Sequence, residues 1–412
     1  MDAVLNFAAS LINAILVAGA MLLLLPAAVL LIQLVAALPV RKPEPDGLLN
    51  RSDLSGVGRA RLAVLMPAHD EAAGIAVAIE AVLGQLRPGD RLLVVADNCS
   101  DDTAKVATAA GAEVVSRSDA HRRGKGYALD FGVRWLESDP PEVLVVVDAD
   151  CEVQAGALDN LAWNCLARQR PAQALYLMRS PPGASLKTRI AEFAWAVKNH
   201  ARALGNQRLG VPCQLMGSGM AFIWSQVHQA PLASGHLVED LQLGLDMAAE
   251  GQPPFFCPEA FVTSFFPVSE EGLTAQRTRW EHGYLSVMFS QGPRLLRQAL
   301  LKGRVAPIFS ALDLCVPPVA SLLLVQTAMW LVCAVFLAVS GHAFPVTVAS
   351  WALVATTLAL GLGWLRFGRH IISMKELMGS PAYVIGKIPM YLRALRRRQV
   401  EWVRTSRNDD PK

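Results

Sequence analysis

The stretch Val143-Leu144-Val145-Val146-Val147-Asp148-Ala149-Asp150 decides how this chain is read. Five apolar residues, four of them β-branched, fit a strand buried on both faces, as in a parallel sheet. Two carboxylates then follow, one residue apart, where the strand must end. The same pattern recurs upstream. Arg61-Leu62-Ala63-Val64-Leu65-Met66-Pro67 is a short apolar run closed by proline, and His69-Asp70-Glu71 follows it. A helical spacing then runs through Ile75, Ile79, Val82 and Leu83. Residues 91–96 form the next strand and lead into Asp97 and a polar stretch ending at Thr103. A helix over 103–110, a strand over 113–115, the basic loop His121–Gly126 and a helix carrying Ala128, Leu129 and Val133 complete the alternation. Strand, helix, strand, helix, with polar loops after the strands, predicts a doubly wound α/β domain that binds its ligand at the strands' C-terminal edge.

Outside this domain the composition changes. There is no Asp, Glu, Lys or Arg from Ala3 to Val40, nor from Leu314 to Leu365. A spanning helix needs about 20 apolar residues, so residues 11–38 supply one span, with Pro26 as a kink. The second stretch divides at Ser340–Pro345 into spans over 314–339 and 346–365. Arg41, Lys42, Arg51, Arg59 and Arg61 follow the first span, and Arg294, Arg297, Lys302 and Arg304 precede the second. Arg366, Arg369 and Arg396-Arg397-Arg398 follow the third. The positive-inside rule therefore places the middle domain and the C-terminus in the cytosol and the N-terminus outside. Residues 371–400 alternate apolar patches with Lys and Arg and read as a helix lying in the interface; the region 295–306 reads similarly. The expected organisation is an anchor over 1–40, a cytosolic domain over 41–312 ending in an interface helix, a helical hairpin over 313–366, and an interfacial helix with a basic tail over 367–412.

Several function classes fall away. The middle domain has no long basic run, so nucleic acid is not an expected partner. The seven cysteines show no CxxC and no Cys/His metal spacing, so neither a disulfide framework nor a zinc site is implied. Spans free of charged residues argue against a transporter or channel.

The chemistry rests on a few loops. Asp148 and Asp150 suit a divalent cation, Mg²⁺ or Mn²⁺, that in turn holds phosphate. Asp97 either accepts hydrogen bonds from a nucleobase or ribose, or caps the next helix. Lys125, between two glycines, suits a diphosphate or is a solvated loop lysine. Glu239-Asp240 opens a helix over 241–250; Asp240 is either a helix-start carboxylate or a general base. Gln276-Arg277-Thr278-Arg279-Trp280 joins an amide, a guanidinium that matches phosphate oxygens and an indole that can stack on a sugar; the alternative is a surface helix with a buried Trp.

In this order and spacing, these residues resemble the membrane-bound family 2 glycosyltransferases, the group of bacterial cellulose synthase, hyaluronan synthase and the nodulation chito-oligosaccharide synthase. The likeness runs from residue 61 to 285, and Gln276, Arg279 and Trp280 form its QxxRW motif. The resemblance implies a GT-A fold, a nucleotide-sugar donor, usually UDP-linked, a divalent metal and inversion at the anomeric carbon. It makes Asp97 the nucleotide-contacting aspartate, Asp148 and Asp150 the metal pair, and Asp240 the catalytic base. Arg279, with Gln276 and Lys125, would face the diphosphate. Trp280, Glu239 and the small-residue loop with Gly217 and Ser218 would face the acceptor. The chain departs from the group at Ala96, where a first aspartate is usual, at Val238 before Glu239, and in having two spans after the motif. The expectation is single-sugar transfer to a membrane-associated saccharide or lipid-linked acceptor in surface polysaccharide or glycolipid synthesis, with polysaccharide-assembly proteins as partners. The alternative is a small processive synthase that translocates its polymer.

Overall fold

The structure, a computed structural model, describes residues 2–39 and 60–386. Within these the chain forms two compact units. One holds residues 60–184 and 210–310; the other holds 2–39, 185–209 and 311–386.

The first unit is built on an eight-stranded mixed sheet in the order β3-β2-β1-β4-β7-β6-β8-β5. The strands are β1 Leu62–Ala68, β2 Arg91–Asp97, β3 Glu113–Arg117, β4 Val143–Val146, β5 Glu152–Val153, β6 Ala172–Arg179, β7 Met220–Ile223 and β8 Phe255–Phe265. The first four are mutually parallel, and the unbroken apolar runs of β1, β2 and β4 suit strands buried on both faces. The sheet then changes direction, because β7 is antiparallel to both β4 and β6. β1 continues through Pro67 to Ala68, where it pairs with β2 alone. The helix Lys125–Leu136 lays Ala128, Leu129, Val133 and Leu136 on the sheet. A side chain at Gly132 would begin 2.3 Å from Leu65 Cδ1, so this helix approaches the sheet at bare backbone. Leu215, Met220, Phe222, Leu243 and Met247 complete that core. β1, β2 and β4 end at one edge, where His69–Glu71, Asp97 and Asp148–Asp150 lie.

The second unit contains three helices long and apolar enough to cross a membrane, over Asn6–Ala37, Val319–Ser340 and Phe344–Gly368. The first continues through Pro26 without a break. Trp330 Nε1 donates to Ser350 Oγ at 2.9 Å between the other two. Residues 185–209, which the sequence reading leaves inside the middle domain, group with these helices. They leave the chain after β6 and return before β7. The reason is visible at Gly205, where a Cβ would lie 2.1 Å from Gln33 O, so two helices touch backbone to backbone. Around that contact sits a buried polar cluster. Gln33 Nε2 donates to Asn206 Oδ1 at 2.9 Å and to Asp313 Oδ1 at 2.7 Å. Arg202 donates to Gln33 Oε1 at 2.9 Å, to Asp313 Oδ1 at 2.8 Å and to the Asp313 carbonyl at 2.7 Å. A helix covers Met374–Gly386; the basic residues of the tail and of 41–59 lie outside the described residues.

Candidate active site

Four separate segments meet at Gly217. Its φ of +94° lies in the left-handed region, where glycine is favoured. A Cβ on Gly217 would sit 3.3 Å from Asp240 Oδ2, 3.6 Å from Lys125 Nζ and 3.9 Å from Asp148 Oδ2. Glycine therefore leaves open the small volume these three groups share. Lys125 Nζ lies 2.5 Å from Asp148 Oδ1, donates to the Gly217 carbonyl at 2.7 Å, and stands 3.9 Å from Glu239 Oε1. Lys125 opens its helix, and Gly126 allows the chain over Leu232 and Ser234 to press close. A Cβ on Gly126 would lie 2.6 Å from both of their carbonyl oxygens. Glu239 and Asp240 form the first turn of the helix Glu239–Ala249, whose N-terminal dipole favours negative charge.

The electrostatics follow from this crowding. Burial pulls the Lys125 ammonium down, but Asp148 and Glu239 outweigh it and hold the group well above its usual value. Burial pushes the Glu239 carboxyl up to about 7, with further upward push from Asp240 and a partial offset from Lys125. Asp148 and Asp150 stand one residue apart at the end of β4. Asp148 N–H donates to Ser218 Oγ at 3.1 Å, and Ser264 Oγ donates to Asp150 Oδ2 at 2.8 Å. Ligand atoms of Asp148, Asp150 and Cys151 all lie within 4.8 Å of one another. Burial raises the Cys151 thiol far above its ordinary value, so sulfur stays protonated here. The donor set is thus hard carboxylate oxygen, which suits Mg²⁺ or Mn²⁺.

Asp97 ends β2, opposite Arg117 of β3 in the register. Arg117 Nη1 donates to Asp97 Oδ1 at 2.6 Å, and Asn98 Nδ2 donates to the same oxygen at 3.0 Å. Arg117 also donates to the Arg122 carbonyl at 2.8 Å and lies 5.6 Å from the Tyr127 ring centre. The helix-capping position considered for Asp97 is held by Asp102, without a side-chain cap bond, while Asp101 Oδ1 accepts from Thr103 N–H at 2.9 Å. His69 Nδ1 lies 2.7 Å from the Asp97 carbonyl oxygen. Asp70 takes a positive φ of 52° and accepts from Ser100 N–H at 2.6 Å, tying this loop to the next.

Gln276, Arg279 and Trp280 lie on the helix Glu270–Lys302. Gln276 is buried, and its Oε1 has no hydrogen-bond partner among the described residues. Arg279 and Trp280 are half-buried. Two turns beyond Gln276, Gly283 rests on Val238, where a Cβ would lie 2.9 Å from Val238 Cγ1. Gln214 Nε2 donates to Tyr284 Oη at 3.3 Å. This helix thus packs on the residue that precedes Glu239-Asp240. Lys125, Asp148, Gly217, Ser218, Glu239 and Asp240 are brought together, with Asp150 beside them; Asp97 and its ion pair lie at the end of β2, with β1 between it and β4. Ser218 is fully buried with its hydroxyl turned to Asp148.

Sequence reasoning missed three residues. Arg117 ends a strand, and only the strand register shows that it meets Asp97. Ser264 is one small residue in an apolar run. Gln173 did carry a signal, since it is the one amide in the buried run Ala172–Tyr176.

The profile of a family described as "Glycosyltransferase like family 2" matches residues 60–283, more than half of the chain. The uncharacterized glycosyltransferases Mb0553 of Mycobacterium bovis and Rv0539 of Mycobacterium tuberculosis are each 42% identical over 83 residues. That match covers 20% of this chain and 35% of theirs, so the chain spans about a third of the length of these curated relatives. Among solved structures, the mannosyltransferase PcManGT from Pyrobaculum calidifontis, in complex with GDP-Man and Mn²⁺, is 17% identical with a TM-score of 0.48. The match covers 85% of this chain and 99% of that one. Glucosyl-3-phosphoglycerate synthase from Mycobacterium tuberculosis, with Mn²⁺, UDP and phosphoglyceric acid, is 23% identical with a TM-score of 0.39, covering 55% and 78%. The match over 60–283, spanning the mixed sheet and every acidic loop at its edge, shows that the chain belongs to glycosyltransferase family 2 and is an enzyme of GT-A fold.

Proposed function

We propose that this enzyme moves a sugar from a nucleotide sugar, of UDP type, to a hydroxyl of a membrane-associated saccharide or lipid-linked acceptor, with inversion. The observation that carries this reading is the convergence of Lys125, Asp148 and Asp240 on Gly217. An ammonium and a metal-binding carboxylate suit a diphosphate, and one further carboxylate suits an acceptor proton. A single displacement needs one base, unlike the two carboxylates of a hydrolase. The three apolar helices support attachment to a bilayer. The basic flanks of the spans support an inner-membrane enzyme with three spans, its catalytic domain and C-terminus in the cytosol and its N-terminus outside.

Asp148 and Asp150 would hold the divalent ion, with Ser264 orienting Asp150. When bound, that ion supplies charge neutralisation on the donor diphosphate. Lys125 would add a second cation there, and Arg279, with Gln276, a third contact on the leaving group. Asp97 with Arg117 would present an acceptor and a donor to the nucleobase. Asp240 would take the proton from the attacking hydroxyl, while Glu239, Gly217, Ser218 and Trp280 line the acceptor side. A radiolabelled product ladder, as against a single added sugar, would mark a small processive synthase instead of single addition.

The test uses purified full-length enzyme in lipid, with metal-dependent release of UDP measured over a panel of UDP-sugars. Asp240→Asn should abolish transfer and leave UDP binding nearly intact. If UDP affinity falls as far as turnover does, Asp240 is not the base.

A further inference from the structure

Behind the Gly217 turn lies a side chain that the chemistry above does not use. Gln173, near the start of β6, is fully buried. Its amide bridges Met216 and Ser218, the residues on either side of Gly217. Oε1 accepts from Met216 N–H at 2.8 Å, and Nε2 donates to the Ser218 carbonyl at 2.9 Å. Nε2 also donates to the Ala174 carbonyl at 2.9 Å. The paired register of β6 and β7 ends at Gln173–Met220, and one more backbone bond follows, from Ala174 N–H to Gly219 O at 2.8 Å. Past that point the glutamine side chain takes over from the ladder, offering one acceptor and one donor in the geometry of a peptide group.

Two members of the active site hang from this short turn. The Gly217 carbonyl accepts from Lys125 Nζ at 2.7 Å. Ser218 Oγ accepts from Asp148 N–H at 3.1 Å. We propose that Gln173 is a positioning residue, which fixes the turn 216–218 and through it sets Asp148 and Lys125 for the divalent cation and the diphosphate. The proposal rests on the reading of Asp148 as a cation ligand. Partners one bond removed from metal ligands commonly control metal affinity by about 10- to 100-fold. A glutamate here would keep the acceptor and lose both donated bonds; a methionine would fill the space and lose all three.

The test is Mn²⁺ binding to full-length protein in lipid nanodiscs, followed by the electron paramagnetic resonance signal of free Mn²⁺. Gln173→Met should weaken Mn²⁺ binding by about 10-fold or more, and Gln173→Glu should do so as well. In an Asp148→Asn background, Gln173→Met should add nothing further, since the two act through one ligand. A purely structural glutamine would lower the melting temperature while folded protein bound Mn²⁺ normally. Folded Gln173→Met with wild-type Mn²⁺ affinity, or effects that multiply with those of Asp148→Asn, would overturn the proposal. If Gln173→Met does not fold, Ser218→Ala decides: wild-type Mn²⁺ affinity overturns the proposal and weakened binding supports it. If Asp148→Asn itself binds Mn²⁺ normally, the cation reading fails and the proposal with it. Loss in Asp148→Asn without loss in Gln173→Met sinks the proposal alone.

Discussion

Replacing Asp313 by Asn removes a charge from the polar cluster in the helical unit and changes its shape little. Asp313 and Arg202 are each 5% exposed, and Arg202 Nη2 lies 2.8 Å from Asp313 Oδ1. Removing one partner of a buried ion pair costs about 3–5 kcal/mol, because the other charge is left uncompensated. Here Arg202 keeps Gln33 Oε1 at 2.9 Å and the Asp313 carbonyl at 2.7 Å. The loss for Asp313→Asn should therefore lie near the lower end, about 3 kcal/mol. Arg202→Met leaves the carboxylate with the Gln33 amide and should cost about 3–5 kcal/mol. The double variant buries no charge at all, so its cost should fall short of the sum by about 2–3 kcal/mol. Unfolding in mixed micelles by titration with dodecyl sulfate, followed by tryptophan fluorescence, measures all three variants against wild type. A coupling below about 0.5 kcal/mol, the ordinary error of additivity, would refute the reasoning and reduce the pair to a neighbourly contact.

Two further predictions concern the site. Gly217→Ala forces a β-carbon to a φ of +94° and to within 3.3 Å of Asp240 Oδ2; it should cost about 1–3 kcal/mol of stability and lower turnover about 100-fold. UDP release in the steady state measures the latter, and a variant retaining half of wild-type turnover would count against the convergence at Gly217. Glu239 gives a pH dependence of stability. Its carboxyl is raised from 4.5 to about 7, so its contribution is complete below pH 4.5 and is lost as pH rises toward 7. The decline is about 3 kcal/mol at most. Denaturant midpoints between these pH values should fall more steeply for wild type than for Glu239→Gln, and parallel profiles would exclude the shift.

The parallel half of the sheet was legible because β1, β2 and β4 are continuous apolar runs ending in polar residues, with β3 marked by Val114 and Val115 alone. The runs at 61–67, 91–96, 113–115 and 143–147 correspond to β1 to β4. The antiparallel half was not legible in the same way. β7 is four residues long, and β8 carries Pro258, Glu259 and Ser264 within its run. Asp148, Asp150, Lys125 and Asp240 could be named because their types and loop positions suit the chemistry. That Gly217 is the point they share depends on a turn between β-strands far apart in sequence. The placement of residues 185–209 was hidden for another reason. Arg202 and Asn206 look like solvated helix residues until Gln33 and Asp313 supply their partners, and no local pattern announces a contact over such distances.

The dispersed origin of that polar cluster also bears on how the protein is made. Asp313 follows Arg202 by 111 residues. At about 5–20 residues per second, a ribosome spends on the order of ten seconds between them. Gln33 has long been synthesised when Arg202 emerges, but the carboxylate has not. In that interval β7, β8 and the helix bearing Asp240 are all translated. The genetic order thus braids the two units, and the helical unit gains the Asp313 carboxylate, its last buried charge among the described residues, only after the sheet has its last strand. A message cut short between residues 303 and 312 would encode the whole acidic cluster and Gln276–Trp280, yet would deliver Arg202 without its counter-ion.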